Sequence, residues 1–191
     1  MDSITWSAFI SGDKDALSSI FITYHDDLFR YGYKLTGDVE LVNDCIQNLF
    51  LKLWKNHENL KQVDIIKPYL LRSLRNHIID SLELRRSFQQ IDEDIEDMFQ
   101  VEYTPEDFLI NEQVQKETRQ KVIELLNKLT PRQRHAIYLR YFEDLDIETI
   151  ALVMDMQVQS VRNAICHGLK VLREMLVISY FLLMIGKYGI R

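Results

Sequence analysis

Asp146-Ile147-Glu148-Thr149-Ile150-Ala151-Leu152-Val153-Met154, then Asp155-Met156-Gln157, then Val158 through Arg173, is the stretch that decides how this chain folds. Its first part is a short apolar helix that Asp146 can cap, its second a three-residue turn, its third a longer helix. Short helix, turn and longer helix make the helix-turn-helix layout, whose second helix enters the major groove of DNA. Here that helix runs from about Gln157 to Arg173. Its spacing sends Val161, Ile165, Leu169 and Leu172 inward and Gln159, Arg162, Asn163, Cys166 and Lys170 outward, with Ser160 and His167 beside them. Arginine can grip guanine edges, asparagine can pair with adenine, and lysine can meet phosphates. Any amphipathic helix shows a polar outer face, so spacing alone leaves a solvated face and a DNA-reading face both open.

Upstream, Thr130-Pro131-Arg132-Gln133 predicts a helix start, with threonine as N-cap, proline at the first position and glutamine able to complete a capping box. Val114, Val122, Leu125, Leu126 and Leu129 mark a helix before it. Further back, three apolar stripes at helical spacing are Leu17–Tyr31, Val42–Leu53 and Leu71–Leu82. Gly37-Asp38 separates the first two, Pro68 suits the first turn of the third, and Arg85-Arg86 closes it. With only 6 Gly and 3 Pro in 191 residues there is little material for the tight turns of a strand-rich fold, so the expected class is all-α.

Charge divides the chain. Residues 1–86 hold 11 Lys/Arg against 12 Asp/Glu, residues 87–110 none against 8, and residues 111–191 hold 12 against 9. The net charge of −6 therefore belongs almost wholly to the central segment. Clustered like charge disfavours a compact fold. The expected organisation is two small helical domains, 1–86 and 111–191, joined by an acidic linker, 87–110. A C-terminal domain this mildly basic neutralises few phosphates and would bind DNA weakly by itself.

Cys45 and Cys166 have no CxxC neighbour, and the five histidines lack ligand spacing, so neither a disulfide framework nor a metal is expected. No basic-then-apolar leader opens the chain, and a cytoplasmic location is the default. The apolar run Met175 to Ile185, broken only by Ser179, is about half of the roughly 20 residues a spanning helix needs. It suits a buried terminal helix, or else a membrane or partner-docking tail. No nucleophile–base pair or glycine-rich phosphate loop points to an enzyme, a cofactor or a small-molecule substrate.

In order along the chain, several runs resemble the extracytoplasmic-function sigma factors of bacterial RNA polymerase, of the sigma-70 family. Leu129-Thr130-Pro131-Arg132-Gln133-Arg134, Leu139-Arg140-Tyr141-Phe142-Glu143, Ile150-Ala151 and Val158-Gln159-Ser160-Val161-Arg162-Asn163 look like its −35-reading region 4. Gly12-Asp13-Lys14-Asp15-Ala16 resembles the opening of its region 2. The runs Asp44 to Trp54 and Pro68 to Asp80 resemble that region's polymerase-binding helix and −10-reading segment. The likeness covers roughly residues 8–175.

The resemblance implies a transcription-initiation factor whose partners are core RNA polymerase (its β′ clamp helices and β flap), promoter DNA and an anti-sigma factor. It implies that Asp44, Gln47 and Asn48 face the polymerase, while Phe50 and Trp54 belong to the core. The loop His57 to Ile66 would capture a base flipped from the −10 element, with Asn59, Lys61 and Gln62 as polar candidates. Arg72, Arg75, Asn76, Arg85 and Arg86 would follow the opening strand, and Gln159, Ser160, Arg162, Asn163, His167 and Lys170 would read the −35 element. The acidic linker would imitate the RNA that later fills a basic polymerase channel. Two departures stand out. Asp155 and Gln157 occupy turn positions where the family commonly has glycine and serine, and Ala164, Cys166 and Gly168 thin the basic residues of the last helix.

Overall fold

The computed structural model describes residues 2–89, 101, 103 and 116–187, for 86–89, 116–119 and 175–187 by their backbone. Among the described residues the regular structure is helical, in eight α-helices. They are α1 (Asp2–Ile10), α2 (Lys14–Thr36), α3 (Val39–Lys55), α4 (Ile66–Gln89), α5 (Lys116–Asn127), α6 (Pro131–Tyr141), α7 (Ile147–Met154) and α8 (Val158–Lys187). A 3-10 turn, His57–Asn59, lies between α3 and α4. The chain divides into an N-terminal unit built on α1–α4, with which Ala151–Met156 is grouped, and a C-terminal unit of Val101–Ile150 and Gln157–Arg191.

In the N-terminal unit, boundaries follow from capping chemistry. Asp13 starts α2 by accepting from the Asp15 and Ala16 amides at 2.8 and 3.3 Å. Gly37, at φ 65°, ends it with its N–H on the Tyr33 carbonyl, in the left-handed conformation that costs glycine least. Asp38 then caps α3, taking the Leu41 amide at 3.0 Å and the Arg85 guanidinium at 2.9 Å. These two partners hold its carboxyl below the usual carboxylate range, the Leu41 amide foremost. As expected, Gly37-Asp38 is the break and Pro68 lies in the first turn of α4. That helix runs on past Arg86 to Gln89, beyond the predicted end.

The core of this unit is Ile20, Leu28, Tyr31 and Leu35 from α2, Val42, Ile46, Leu49 and Leu53 from α3, and Leu70, Leu71, Leu74 and Ile78 from α4. Helices α2 and α3 approach closely at Gly32, where an added Cβ would stand 2.8 Å from Val42 Cγ1. The sequence stripes miss α1, although its Trp6 and Phe9 are fully buried. Conversely, Phe21 of the predicted α2 stripe is 40% exposed.

In the C-terminal unit the predicted capping box is formed. Gln133 N donates to Thr130 Oγ1 at 3.4 Å, and Thr130 N donates to Gln133 Oε1 at 3.2 Å. Asp146 caps α7 through the Thr149 amide at 2.7 Å, which lowers its carboxyl pKa. The core gathers Ile123, Leu126, Leu129, Ile137, Leu139, Ile150, Val161 and Ile165.

Two residues of the predicted linker also belong to this core. Val101 is fully buried and Tyr103 is 2% exposed. Asn127 closes a pair of hydrogen bonds on the Tyr103 backbone, accepting from its N–H at 2.8 Å and donating to its carbonyl at 3.1 Å. The Tyr103 hydroxyl donates to the Arg134 carbonyl at 3.1 Å, and its ring lies 5.3 Å from that of Phe142. A purely solvated tether over 87–110 is therefore corrected at this point: an aromatic residue and an amide clamp outweigh the acidity around them. Residues 90–100, 102 and 104–115, which include the acids of that segment, lie outside the described residues.

Candidate nucleic-acid interface

The turn before α8 is built on Asp155, whose φ of 54° lies in the left-handed region that aspartate tolerates better than most residues. The Met156 amide reaches back to the Ala151 carbonyl at 2.9 Å, and the first turn of α8 closes with Val161 N on Gln157 O at 3.1 Å. On α8, Val161, Ile165 and Gly168 point inward. Gly168 permits the close approach of α8 to α6, since a Cβ there would meet Ile137 Cδ1 at 2.8 Å. This corrects two expectations. Leu169, assigned inward, is 40% exposed, and Gly168 is a packing residue that leaves no gap in the outer face. The shift follows from helix geometry: 161, 165, 168 and 172 keep closer to one line than a set containing 169.

Gln159, Ser160, Arg162, Asn163, His167 and Lys170 are all exposed. Gln159 Nε2 donates to Asn163 Oδ1 at 2.9 Å, which aligns two amides one turn apart. Lys170 lies 3.9 Å from Glu174, a loose surface pair that a phosphate can displace. Cys166 is exposed on the same helix, whereas Cys45 is buried.

The segment from His57 to Ile66 is a 3-10 turn followed by irregular chain. Asn59, Lys61 and Gln62 are exposed, but they are not equivalent. Gln62 is engaged with α1, donating to the Ser3 carbonyl at 3.0 Å and accepting from Ser7 Oγ at 3.1 Å. Lys61 offers its carbonyl to the Trp6 indole N–H at 3.0 Å. Behind the loop lies a half-open cavity of about 250 Å³, lined by Lys52, Asn56, Leu60, Tyr69, Asn76 and His77 among others. Burial, reinforced by Lys52, lowers the His77 pKa, so its imidazole is neutral at neutral pH. The polar groups facing this cavity include Asn56 and Tyr69, which the sequence offered no periodic signal to single out.

On α4, Asn76 is exposed and Arg72 partly so. Arg75 is only 5% exposed, so in this structure its guanidinium is not presented to a strand in solvent. Arg85 is exposed but paired with the Asp38 cap, which places it at a helix junction first. The Arg86 side chain lies outside the described residues, as do those of the apolar run 175–185 on α8.

The outer face of α3 exposes Asp44, Gln47 and Asn48, as expected. Phe50 is 8% exposed, in line with a core role, while Trp54 is half-buried, stacked on His57 at 4.8 Å with Lys14 over its ring. Beside the polar residues an apolar groove of about 350 Å³ runs between α2 and α3, lined by Leu17, Phe21, Ile46, Phe50, Leu51 and Trp54. Exposed Ile22 and Leu51 carry no mark in the sequence because each belongs to an otherwise ordinary helical pattern, and exposed Phe21 belongs to the stripe expected to face inward. Among the described residues no three His, Cys, Asp or Glu side chains come together to hold a metal ion.

Residues 20–88 match the family model for sigma-70 region 2, and residues 119–172 that for sigma-70 region 4. The chain is 23% identical over 174 residues to the extracytoplasmic-function (ECF) sigma factor SigW of Bacillus subtilis, covering 86% of this chain and 91% of that one. It is 23% identical to SigX of the same organism over 84% of both chains. Its fold is similar to that of CnrH, solved in complex with the cytosolic domain of CnrY, with a TM-score of 0.60, 17% identity, and coverage of 93% and 97%. It is also similar to RpoE of Bartonella quintana, solved with the anti-sigma factor NepR, with a TM-score of 0.58, 17% identity, and coverage of 84% and 96%. Its curated relatives are thus extracytoplasmic-function sigma factors, and with regions 2 and 4 present in order the chain belongs to the sigma-70 family.

Proposed function

We propose that this chain binds core RNA polymerase, reads −35 and −10 promoter elements through its two units, and helps to melt the second. The observation that carries the reading is the pair of region 2 and region 4 matches, one on each unit. The exposed amide and cationic set on α8 gives the C-terminal unit a means of reading base edges. Arg162 and Asn163 are the base readers, with Gln159 aligning Asn163. Ser160, His167 and Lys170 meet backbone or flanking bases.

In the N-terminal unit, Asp44, Gln47 and Asn48 engage the β′ clamp helices, and the β flap holds the C-terminal unit. The cavity behind the His57–Ile66 loop has the size and polarity to take a base removed from the stack. Unstacking costs a few kcal/mol, which a shaped polar pocket recovers. Asn56 and Asn76 join Asn59 and Lys61 as candidates to touch that base. Arg72 follows the strand, with Arg85 and Arg86 near its path. The linker acids, in this account, stand in for RNA in a basic channel, and neutralising them lowers core affinity or changes abortive synthesis. The protein acts without chemistry of its own, in the cytoplasm; no helix among the described residues is long and apolar enough to cross a membrane. Control by an anti-sigma factor is supported by the complex of the similar RpoE with the anti-sigma factor NepR.

Run-off transcription with purified chain, core polymerase and a genomic library tests the function. Specific transcripts that depend on the chain are expected. Their absence with active core polymerase contradicts it.

A further inference from the structure

The N-terminal helix α1 is the element that the polymerase- and promoter-binding roles leave unused, and its contacts converge on one place. Trp6 is fully buried, and its indole N–H donates to the Lys61 carbonyl at 3.0 Å. Its ring stands edge-on to Tyr69, 5.0 Å away, a residue that lines the cavity behind the loop. One turn apart on the helix, Ser3 and Ser7 hold the Gln62 amide: Nε2 donates to the Ser3 carbonyl at 3.0 Å and to Ser3 Oγ at 3.3 Å, and Ser7 Oγ donates to Oε1 at 3.1 Å. At the start of the helix, Asp2 Oδ2 accepts from the Tyr24 hydroxyl at 2.8 Å and, weakly, from the Ile66 amide at 3.5 Å. At its end, Phe9 approaches His57, whose Nδ1 is bound to the Trp54 carbonyl at 2.7 Å. Each of these ties to the chain beyond α2 falls on the loop His57–Ile66 or on the first turn of α4.

A loop that must hold an unstacked base gains from being rigid before the base arrives, because ordering it during binding would cost affinity. Left alone, an irregular segment between two helices orders itself poorly, with backbone groups bound only to water. Here the loop's inner edge is fixed by a buried indole and a fully bonded amide, while the side chains of Asn59 and Lys61 stay outside this network. We propose that α1 is a strap that pre-forms the base-capturing loop, with Trp6 and Gln62 as positioning residues and not readers of the base. The proposal rests on the promoter-reading function above. It divides the three loop candidates: Gln62 shapes the site, and specificity is left to Asn59, Lys61 and the cavity residues Asn56 and Asn76.

The test uses the full chain with core polymerase on promoter fragments carrying 2-aminopurine across the −10 element, and each of the four bases in turn at the position that unstacks. Wild-type chain must first give a transcript and a fluorescence rise; failure there sinks the function itself. The variants are Gln62→Ala, the pair Ser3→Ala with Ser7→Ala, Trp6→Phe, which keeps a ring but loses the donor, and Asn56→Ala. Each lost hydrogen bond is expected to lower base capture by roughly three- to tenfold. The strap variants should lower it by a similar factor for all four bases, without changing their order. Asn56→Ala should change the order. The serine pair lies on the surface and guards against misfolding as the cause. The proposal is overturned if Gln62→Ala alone reorders the bases, or if the serine pair and Trp6→Phe leave base capture unchanged.

Discussion

The two units solve the problem of presenting polar groups to DNA in opposite ways. In the N-terminal unit several groups that frame the proposed −10 site are already bonded within the protein: Gln62 to Ser3 and Ser7, Arg85 to Asp38, and the Lys61 carbonyl to Trp6. In the C-terminal unit the corresponding residues are exposed on one helix, and the contacts of that face are a Gln159–Asn163 amide pair and a loose Lys170–Glu174 ion pair. A site that captures a single displaced base requires shape, and shape comes from internal bonds. A helix laid in a groove already has its shape, so its side chains are left to adapt. The cost of the second arrangement is weak binding by itself, because few cations face the phosphates.

The largest effect should come from stripping the adaptable face. Replacing Arg162 and Asn163 together by Ala removes two base contacts worth about 1–3 kcal/mol each. Promoter-specific run-off transcription should fall by at least tenfold while affinity for core polymerase is kept; an unchanged transcript means that α8 does not read the −35 element. Next in size is the fixed part of the same unit. Tyr103→Ala empties a buried aromatic site, a loss of about 3–5 kcal/mol by analogy with other aromatic truncations. Thermal or urea melting should show the C-terminal unit unfolding earlier, and an unmoved midpoint would return Tyr103 to the tether.

Legibility follows the same division. Features written locally were readable: the Thr130–Gln133 capping box, the Gly37-Asp38 break, the Asp146 cap and the left-handed Asp155 all stand where the sequence put them. What escaped depends on contacts between distant residues. Trp6 and Lys61 lie 55 positions apart, Ser3 and Gln62 lie 59 apart, and Tyr103 and Asn127 lie 24 apart. Helix α1 is too short to show a full stripe, and Tyr103 sits in acidic surroundings that argue for solvent. On α8, a one-residue difference in where the apolar line falls exchanged Leu169 for Gly168.

Smaller effects sharpen the contrast further. Gly168→Ala puts a methyl 2.8 Å from Ile137, and overpacking of this kind costs about 1–3 kcal/mol. The C-terminal unit should melt earlier, and the −35 contribution should weaken with it. A fully wild-type melt would show that Ile137 simply moves aside. The smallest effect is a pH dependence of the N-terminal unit. Burial by itself would raise the Asp27 pKa, but Lys67 and Arg30 outweigh it, so the folded value is lowered; Asp38 is lowered as well. Their stabilisation is complete above the unfolded carboxylate value of about 3.9 and is lost as pH falls through the lower folded values. Melting between pH 6 and 3 should therefore show stability falling only in the acid part of that range, and less steeply in Asp27→Asn. Equal slopes would remove Asp27 from the account.

The most direct test of the central claim is footprinting on a promoter obtained from the run-off library, with the chain alone, core polymerase alone, and both together. Protection of the −35 and −10 elements is predicted only when both are present. Equally strong protection of the same site by the chain alone would contradict the account, and would mark the protein as a free-standing DNA-binding regulator.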